Sequence, residues 1–252
     1  MIEVLILSLV QGITEFLPIS SSSHLIVMSK YLNFDNQSLL IDVSLHIGSF
    51  LAVVIYFIKD IINFVKNKEL FFKIIIASIP TMIIGYILIK YDLIEYLRNI
   101  KVISLTTIIF GVLLYFSDRL PDNRNLSNNF TLYSALYIGI FQILSLIPGV
   151  SRSGITITAA RILRFKRVDA AKISFLLSIP TLGAVMLFGV NNVLSLEDSF
   201  FTSLNLLAIF CSFLISYLTI KLFLKYIEKF SLNLFVIYRI ILGIVLLIFA
   251  YL

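Results

Sequence analysis

Long apolar runs constrain this chain more than any other feature of its sequence. Six of them hold roughly 16 to 22 residues each, which is the length a helix needs to cross a hydrocarbon core of about 30 Å. They lie at residues 39–58, 71–89, 102–117, 172–190, 203–224 and 234–252. The runs predict an all-α polytopic membrane protein.

The composition supports the same fold class. The 252 residues are 60% hydrophobic and only 13% charged, whereas a soluble domain carries about 25% charged residues. No polar segment is long enough to fold separately, so residues 1–252 are predicted to form a single membrane domain. We attribute the net charge of +6 to basic loops and not to nucleic-acid binding. Cys211 is the only cysteine, which excludes an intrachain disulfide.

Two further apolar stretches are interrupted by polar residues. Residues 2–32 are broken by Pro18 and a run of serines, and residues 131–163 are broken by the sequence IPGVSRSG at 147–154. Each arm of about 13–16 residues would form ~20–24 Å of helix, which is too short to cross a membrane. Each stretch is therefore predicted to be a re-entrant helical hairpin, with its break surrounded by protein or by a wet cavity.

The basic residues give an orientation to this arrangement. With six spans and two hairpins, 14 Lys and Arg residues fall in the loops of one side and four on the other. The positive-inside rule then places both termini outside. The first hairpin enters from outside and the second from inside, which predicts an inverted repeat of about 1–118 and 119–252. Because the first hairpin opens outward, the cavity is predicted to face the extracytoplasmic side.

Weak internal similarity agrees with a repeat. Aligning Pro18 with Pro148 places two serines of the first break on two of the second, Ser21 on Ser151 and Ser23 on Ser153. A duplicated SIPT sequence, at 78–81 and 178–181, does not fall on equivalent helices in this scheme. We interpret it as coincidence or as common helix-packing chemistry.

Polar residues gather at the two breaks. Ionisable residues inside membrane segments are costly and indicate function; here they are Glu15, His24, Asp42, His46, Arg152 and Arg239. Gln11 and Glu15 share one helix face because they are four residues apart. The serine run and the sequence SRSG each open a helix, whose free N–H groups favour an anion. Together the two breaks predict a phosphate site.

Other ionisable residues have simpler interpretations. Arg239 lies five residues from the end of its span, so we expect its side chain to extend to the membrane surface. For His46, packing with one hydrogen bond is favoured over catalysis. The serine run could serve as an ordinary helix cap.

The residues at the breaks resemble a known family. QGITEFLPISSSSHL and PGVSRSGITI are similar to the two signature regions of the BacA/UppP-type undecaprenyl-diphosphatases, and the resemblance covers essentially the whole chain. It implies a bacterial membrane phosphatase that hydrolyses undecaprenyl diphosphate to undecaprenyl phosphate and inorganic phosphate. This reaction recycles the lipid carrier for cell-wall synthesis, and overproduction of the enzyme confers bacitracin resistance.

The resemblance also implies roles for particular residues. The family motif has Glu or Gln four positions before a second Glu, and these positions are Gln11 and Glu15 here. Activity in the family needs a divalent cation, Mg²⁺ or Ca²⁺, for which Glu15 is the candidate ligand. The expected catalytic residues are Glu15, Ser21, His24 and Arg152; the expected substrate-binding residues are Gln11, Ser22, Ser23, Ser151, Ser153 and Gly154. Either Ser21 or a water is the nucleophile, and either Glu15 or His24 is the base.

One rival function remains open. Inverted repeats with broken helices are also a transporter design, so the same fold could flip a polyprenyl phosphate across the membrane. The type 2 phosphatidic-acid phosphatases are excluded, because no histidine follows Ser151 and Arg152. The expected partners are a polyprenyl diphosphate and membrane lipids; a homodimer is compatible with the sequence, which does not fix the oligomeric state.

Overall fold

The computed structural model describes residues 1–32, 39–64, 68–91, 93, 97–194 and 202–251, and this part of the chain is built from helices. The α-helices are α1 (Ile2–Thr14), α2 (Ser21–Leu32), α3 (Leu39–Tyr56), α4 (Ile58–Phe64), α5 (Lys68–Lys90), α6 (Ile100–Asp118), α7 (Leu126–Asn129), α8 (Leu132–Ile143), α9 (Arg152–Ile162), α10 (Arg167–Leu194), α11 (Ser203–Ile227) and α12 (Asn233–Phe249). A 3₁₀ turn, Leu144–Leu146, follows α8. The prediction of an all-α fold is confirmed.

In the described part of the chain, four helices are long and apolar enough to cross a membrane. They are α5, α6, the part of α10 at Arg167–Val190, and α11. Two further apolar helices, α3 and α12, are slightly shorter, and they occupy the first and last of the six predicted runs. These helices confirm the prediction of a polytopic membrane protein.

The two interrupted stretches form pairs of short helices. In the first, α1 has 13 residues and α2 has 12; in the second, α8 has 12 and α9 has 11. At 1.5 Å per residue each arm is about 20 Å long or less, which is shorter than a hydrocarbon core. The break residues Ile19, Ser20, Val150 and Ser151 are buried, so the breaks lie within the helical body and not at its ends.

The helices pack in a reciprocal pattern. The first arm α1 packs against α11, and the first arm α8 packs against α5. In addition α3 contacts α10, and α6 contacts α12 along much of its length. The first arm of each pair therefore packs on a long helix from the other half of the sequence.

Small and hydroxyl residues bring these helices close together. Ser49 on α3 shares hydrogen bonds with Ser212 and Ser216 on α11, at 3.2 and 3.0 Å between hydroxyl oxygens. A Cβ on Gly48 would lie only 2.4 Å from the backbone oxygen of Ile209. Close backbone contact through small residues, with hydroxyl bonds between helices, is the usual way that helices associate in lipid.

A buried polar cluster joins the ends of four helices away from the breaks. Arg161, at the end of α9, is 1% exposed and donates to the backbone oxygens of Asp118, Leu120 and Phe165. The Asp118 carboxylate accepts from Arg167 at 2.7 Å and from the backbone N–H of Leu232 at 3.0 Å. This cluster fixes the ends of α6 and α9 against the starts of α10 and α12.

Candidate active site

Each break ends in a serine with an unusual backbone conformation. Ser20 has φ 74° and precedes α2, and Ser151 has φ 71° and precedes α9. Non-glycine residues seldom occupy this left-handed region, and where they do the strain is commonly found at functional sites. Both serines place their hydroxyl 3.3 Å from that of the serine two residues later, Ser22 and Ser153 respectively.

This correspondence corrects the predicted internal alignment. Ser20, and not Ser21, is the structural counterpart of Ser151, because each is the last residue before its helix. The second break has one more residue between its proline and its helix, and this shifts the register. Ser21 and Arg152 are therefore equivalent, each being the first residue of its helix.

Glu15 joins the two breaks. Its Oε2 accepts from the Ser21 hydroxyl at 2.7 Å and from Nε2 of Gln11 at 3.1 Å, and its Oε1 accepts from Nη2 of Arg152 at 2.8 Å. The carboxylate is only 7% exposed. The structure thus brings together four of the residues that the sequence predicted, in one ion pair with charge-assisted hydrogen bonds.

Glu15, Ser21 and Arg152 line a cavity of about 520 Å³. Its polar wall includes Glu15, Ser20, Ser21, Ser22, Ser151 and Arg152. The helices α2 and α9 both begin here, so the positive ends of two helix dipoles point toward it. Nη1 of Arg152 is buried and has no hydrogen-bond partner in the described part of the chain. Such an arrangement suits a phosphate, because an unused guanidinium donor and two helix N-termini can all bind its oxygens.

His24 lies outside the lining of this cavity. Its Nδ1 is 2.7 Å from the backbone oxygen of Ser20, and its Nε2 is 2.6 Å from the hydroxyl of Tyr238 on α12. Both ring nitrogens are therefore engaged. The structure does not place His24 with Glu15 and Ser21, and it links His24 to the strained backbone at Ser20.

The predicted substrate-binding residues fall into two groups. Ser22 and Ser151 line the cavity, whereas Ser23, Ser153 and Gly154 support the breaks from behind. Ser23 bonds the hydroxyl of Ser20 at 2.9 Å. Ser153 donates to the backbone oxygen of Leu17, and the Gly154 amide donates to Ser151.

Gln11 also lies behind the cavity, fully buried. It bonds Glu15, while its own Oε1 lacks a partner in the described residues.

Sequence reasoning missed two contributions to the cavity. His46 lines it; the expected hydrogen bond is present, from the ring Nδ1 to the backbone oxygen of Asp42 at 2.8 Å. Thr81 and Thr181, which end the two SIPT sequences, also line the cavity from α5 and α10. The duplicated SIPT was a usable signal, although the two copies sit on helices that are not equivalent in the predicted repeat.

Arg239 contradicts its prediction. The side chain is 0% exposed and does not extend to a membrane surface. Its guanidinium donates to the backbone oxygens of Thr107, Pro18, Gly149 and Val150. Distance along the span was a misleading guide, because the breaks supply unpaired carbonyl groups at membrane depth.

The donor set at Glu15 fits a divalent cation only in part. The described residues contain no cluster of three or more His, Cys, Asp or Glu side chains. One carboxylate, with the unpartnered Oε1 of Gln11 nearby, is too little for a cation held by protein alone. It does suit Mg²⁺, which is commonly bound by one or two carboxylates together with substrate phosphates and water.

Comparisons with known proteins place the chain in a family. The profile of the family described as "Bacitracin resistance protein BacA" matches residues 4–245. The chain belongs to the BacA family. A protein of Pelagibacter ubique named undecaprenyl-diphosphatase is 51% identical over 99% of this chain and 98% of its own length. Relatives with the same name in Saccharophagus degradans and Jannaschia sp. are 42% and 39% identical, over 94% and 98% of this chain and 93% and 97% of their own lengths.

Membership of the BacA family covers both breaks and all the long helices. The matched range includes Glu15, Ser21, Arg152 and Arg239, so the site described above lies wholly within the family's domain.

Proposed function

We propose that this protein is an undecaprenyl-diphosphatase. It hydrolyses undecaprenyl diphosphate to undecaprenyl phosphate and inorganic phosphate, recycles the lipid carrier for cell-wall synthesis, and confers bacitracin resistance as a by-product. The observation that carries the proposal is the position of Glu15, which binds Ser21 of one break and Arg152 of the other beside the cavity. Its relatives carry the name of this enzyme.

The proposed topology has six transmembrane helices and two re-entrant hairpins. The spans are α3, α5, α6, α10, α11 and α12, and the hairpins are the pairs α1–α2 and α8–α9. The reciprocal packing of α1 on α11 and of α8 on α5 supports an inverted repeat, since these helices hold corresponding positions in the two halves. With the basic loops inside, the protein sits in the bacterial inner membrane with its cavity open to the periplasmic or extracytoplasmic side. A homodimer remains a prediction.

The chemistry requires charge stabilisation and an activated nucleophile. The oxygen of Ser21, or of a water, attacks the terminal phosphorus; the bond to the bridging oxygen breaks, and that oxygen leaves with its electron pair on undecaprenyl phosphate. Glu15 is the base, because its Oε2 already accepts from the Ser21 hydroxyl. If Ser21 attacks, water then hydrolyses the phosphoserine.

Arg152 binds the transferred phosphoryl group in this scheme. Its Nη2 is held by Glu15, which leaves the buried Nη1 as a donor aimed by the ion pair. The amides at the start of α2 and α9 add donors without a change in conformation. A bound Mg²⁺ or Ca²⁺, held by Glu15 and the diphosphate, would neutralise charge on the phosphate oxygens.

The apolar wall of the cavity suits the prenyl chain. It is formed by one face of α5 and one of α10, whose partly exposed side chains include Met82, Tyr86, Val185 and Phe188. A diphosphate bound at Arg152 would therefore continue into an apolar groove between two long helices. This arrangement lets the lipid bind with its headgroup at the breaks and its tail toward the membrane.

Phosphate release from undecaprenyl diphosphate by the purified protein in detergent, with and without EDTA, tests this function. We expect release that EDTA abolishes and that added Mg²⁺ or Ca²⁺ restores. A transporter of polyprenyl phosphate would release no phosphate in this assay. Absence of release by a folded, cation-supplied protein would therefore reject the enzyme and favour the transporter.

Trapping decides which nucleophile acts. If Ser21 attacks, rapid acid quenching yields a phosphorylated Ser21 peptide, and Ser21→Ala yields none. If water attacks, no phosphopeptide forms at any quench time, although the phosphate released by either route carries one oxygen from water.

A further inference from the structure

Arg239 is a buried cation with no carboxylate beside it among the described residues. It is 0% exposed, and the ion pairs of the described chain do not include it. Removing a charge from water costs several kcal/mol unless hydrogen bonds satisfy it. A buried charge without a counter-ion is tolerated where its hydrogen bonds offset this desolvation cost.

The guanidinium makes those bonds to the backbones of both breaks. Its Nη1 donates to the Pro18 oxygen of the first break at 3.3 Å. Its Nη2 donates to the Gly149 and Val150 oxygens of the second break at 2.9 and 3.0 Å. Its Nε donates to the Thr107 oxygen of α6 at 3.2 Å. This bond fixes the orientation of the planar guanidinium.

These carbonyls need a donor because the breaks interrupt the helices. Backbone oxygens in a break have no intrahelical partner, and no bulk water reaches a fully buried group. One planar group with five N–H donors can serve several of them at once, which a lysine cannot do. Arg239 therefore substitutes for water at the junction of two strained segments.

The residues that follow these carbonyls along the chain include residues of the candidate active site. Pro18 stands two residues before Ser20 and three before Ser21; Val150 directly precedes Ser151 and Arg152. Gly154 leaves space for the Arg239 guanidinium, since a Cβ at this position would lie only 2.7 Å from Nη1 of Arg239. No atom of Arg239 lines the cavity, so it acts through other residues.

We propose that Arg239 is a positioning residue that fastens the two breaks to each other and so sets Ser21 and Arg152 at the correct distance from Glu15. The catalytic part of this proposal rests on the proposed function. Its structural part, that Arg239 holds both breaks in register, does not.

Hydrogen–deuterium exchange of Arg239→Lys tests the structural part without any substrate. Lysine keeps the charge but cannot serve carbonyls of three segments, so peptides covering 16–24 and 147–155 should exchange at least about tenfold faster. Arg161→Lys is the matched control, since Arg161 is equally buried and also binds backbone oxygens. It should accelerate exchange near 118–124 and 161–167 and leave the breaks unchanged.

A double-mutant cycle tests the catalytic part. Displacing a catalytic group by about 1 Å can cost about 10²-fold, and we expect that loss in kcat/KM for Arg239→Lys, measured per folded protein. In an Arg152→Lys background the further loss should be at least about threefold smaller, because the guanidinium that Arg239 positions is gone and only the effect on Ser21 remains. The losses in kcat/KM caused by Arg161→Lys and by Arg152→Lys should multiply independently, within about twofold.

Gly154→Ala provides a second route should Arg239→Lys fail to fold. The new methyl group displaces the guanidinium while Arg239 remains, so the same coupling to Arg152→Lys is expected. Unchanged exchange at the breaks, or losses that multiply independently in the cycle, would overturn the proposal. If the folded wild-type protein hydrolyses no undecaprenyl diphosphate, the proposed function is rejected. The exchange experiment would still test whether Arg239 holds the two breaks in register.

Discussion

The two breaks have the same backbone plan and different chemistry. In both, a short helix ends, a serine in the left-handed region follows, and a second short helix begins. Nine residues before that serine stands a buried glutamine, Gln11 in the first half and Gln142 in the second. The first break adds a carboxylate and a hydroxyl, whereas the second adds a guanidinium.

This difference divides the polar groups around Glu15 between the two breaks. Counting back from the serine, the position of Glu15 is occupied by Leu146 in the second half, and the position of Arg152 is occupied by Ser21 in the first. Gln11 accordingly bonds Glu15, while both amide atoms of Gln142 lack a partner in the described part of the chain. Neither break holds all the polar groups of the cavity; the carboxylate of Glu15 and the guanidinium of Arg152 come from different breaks.

The largest effect should come from removing the one carboxylate. Glu15→Gln keeps the shape but cannot take a proton from the nucleophile or hold Arg152, so we expect phosphate release to fall by about 10³-fold or more. Phosphate release in detergent measures it. Glu228→Gln, at an exposed carboxylate beyond α11, is the control and should keep full activity. If Glu15→Gln releases phosphate at the wild-type rate, Glu15 is not the base.

The next effect concerns the group that distinguishes the second break. Arg152→Lys keeps the charge but loses the planar fork, which can no longer bind Glu15 and phosphate together. We expect kcat/KM to fall by about 10²-fold, since a charged hydrogen bond contributes about 1.5–3 kcal/mol. Steady-state kinetics on undecaprenyl diphosphate measure this, with Lys225→Arg on α11 as the control. A change of less than threefold would argue against recognition by the fork.

A smaller effect should follow from loosening only the first break. Tyr238→Phe removes the hydroxyl that holds Nε2 of His24, while His24 keeps its bond to the Ser20 backbone. Loss of one hydrogen bond of about 1 kcal/mol predicts a five- to tenfold fall in activity. His24→Asn, whose side-chain amide can take the place of Nδ1 at the Ser20 oxygen, should add little in the Tyr238→Phe background if His24 positions Ser20. A large additional loss would instead assign His24 to proton transfer.

The smallest effect on activity should come from the supporting serines. Ser153→Ala removes the hydroxyl that donates to the Leu17 oxygen, which keeps its bond from the Ile19 amide, and should lower the free energy of unfolding by about 0.5–1.5 kcal/mol. Ser22→Ala, at an exposed hydroxyl on the cavity wall, is the matched comparison and should leave stability unchanged. Thermal unfolding in detergent measures both. Equal melting temperatures for the two variants would show that the second break does not depend on this bond.

Much of this protein could be read from its sequence. Apolar runs of about 20 residues predict membrane helices because the hydrocarbon core sets their length, and Pro18 and IPGVSRSG predict breaks because proline lacks an N–H. The scarcity of ionisable residues identified Glu15 and Arg152, since charge is costly in such a chain. These features depend only on local composition and spacing, which a linear sequence contains.

Only the tertiary structure decided which of these polar groups meet. Ser20 and Ser151 adopt the left-handed conformation because the surrounding packing imposes it. The residue type serine does not predict this conformation. His24 turns to Tyr238, 214 residues away, while His46 lines the cavity instead. Arg239 belongs to the breaks and not to the membrane surface, because unpaired carbonyls at membrane depth are a property of two distant segments brought together.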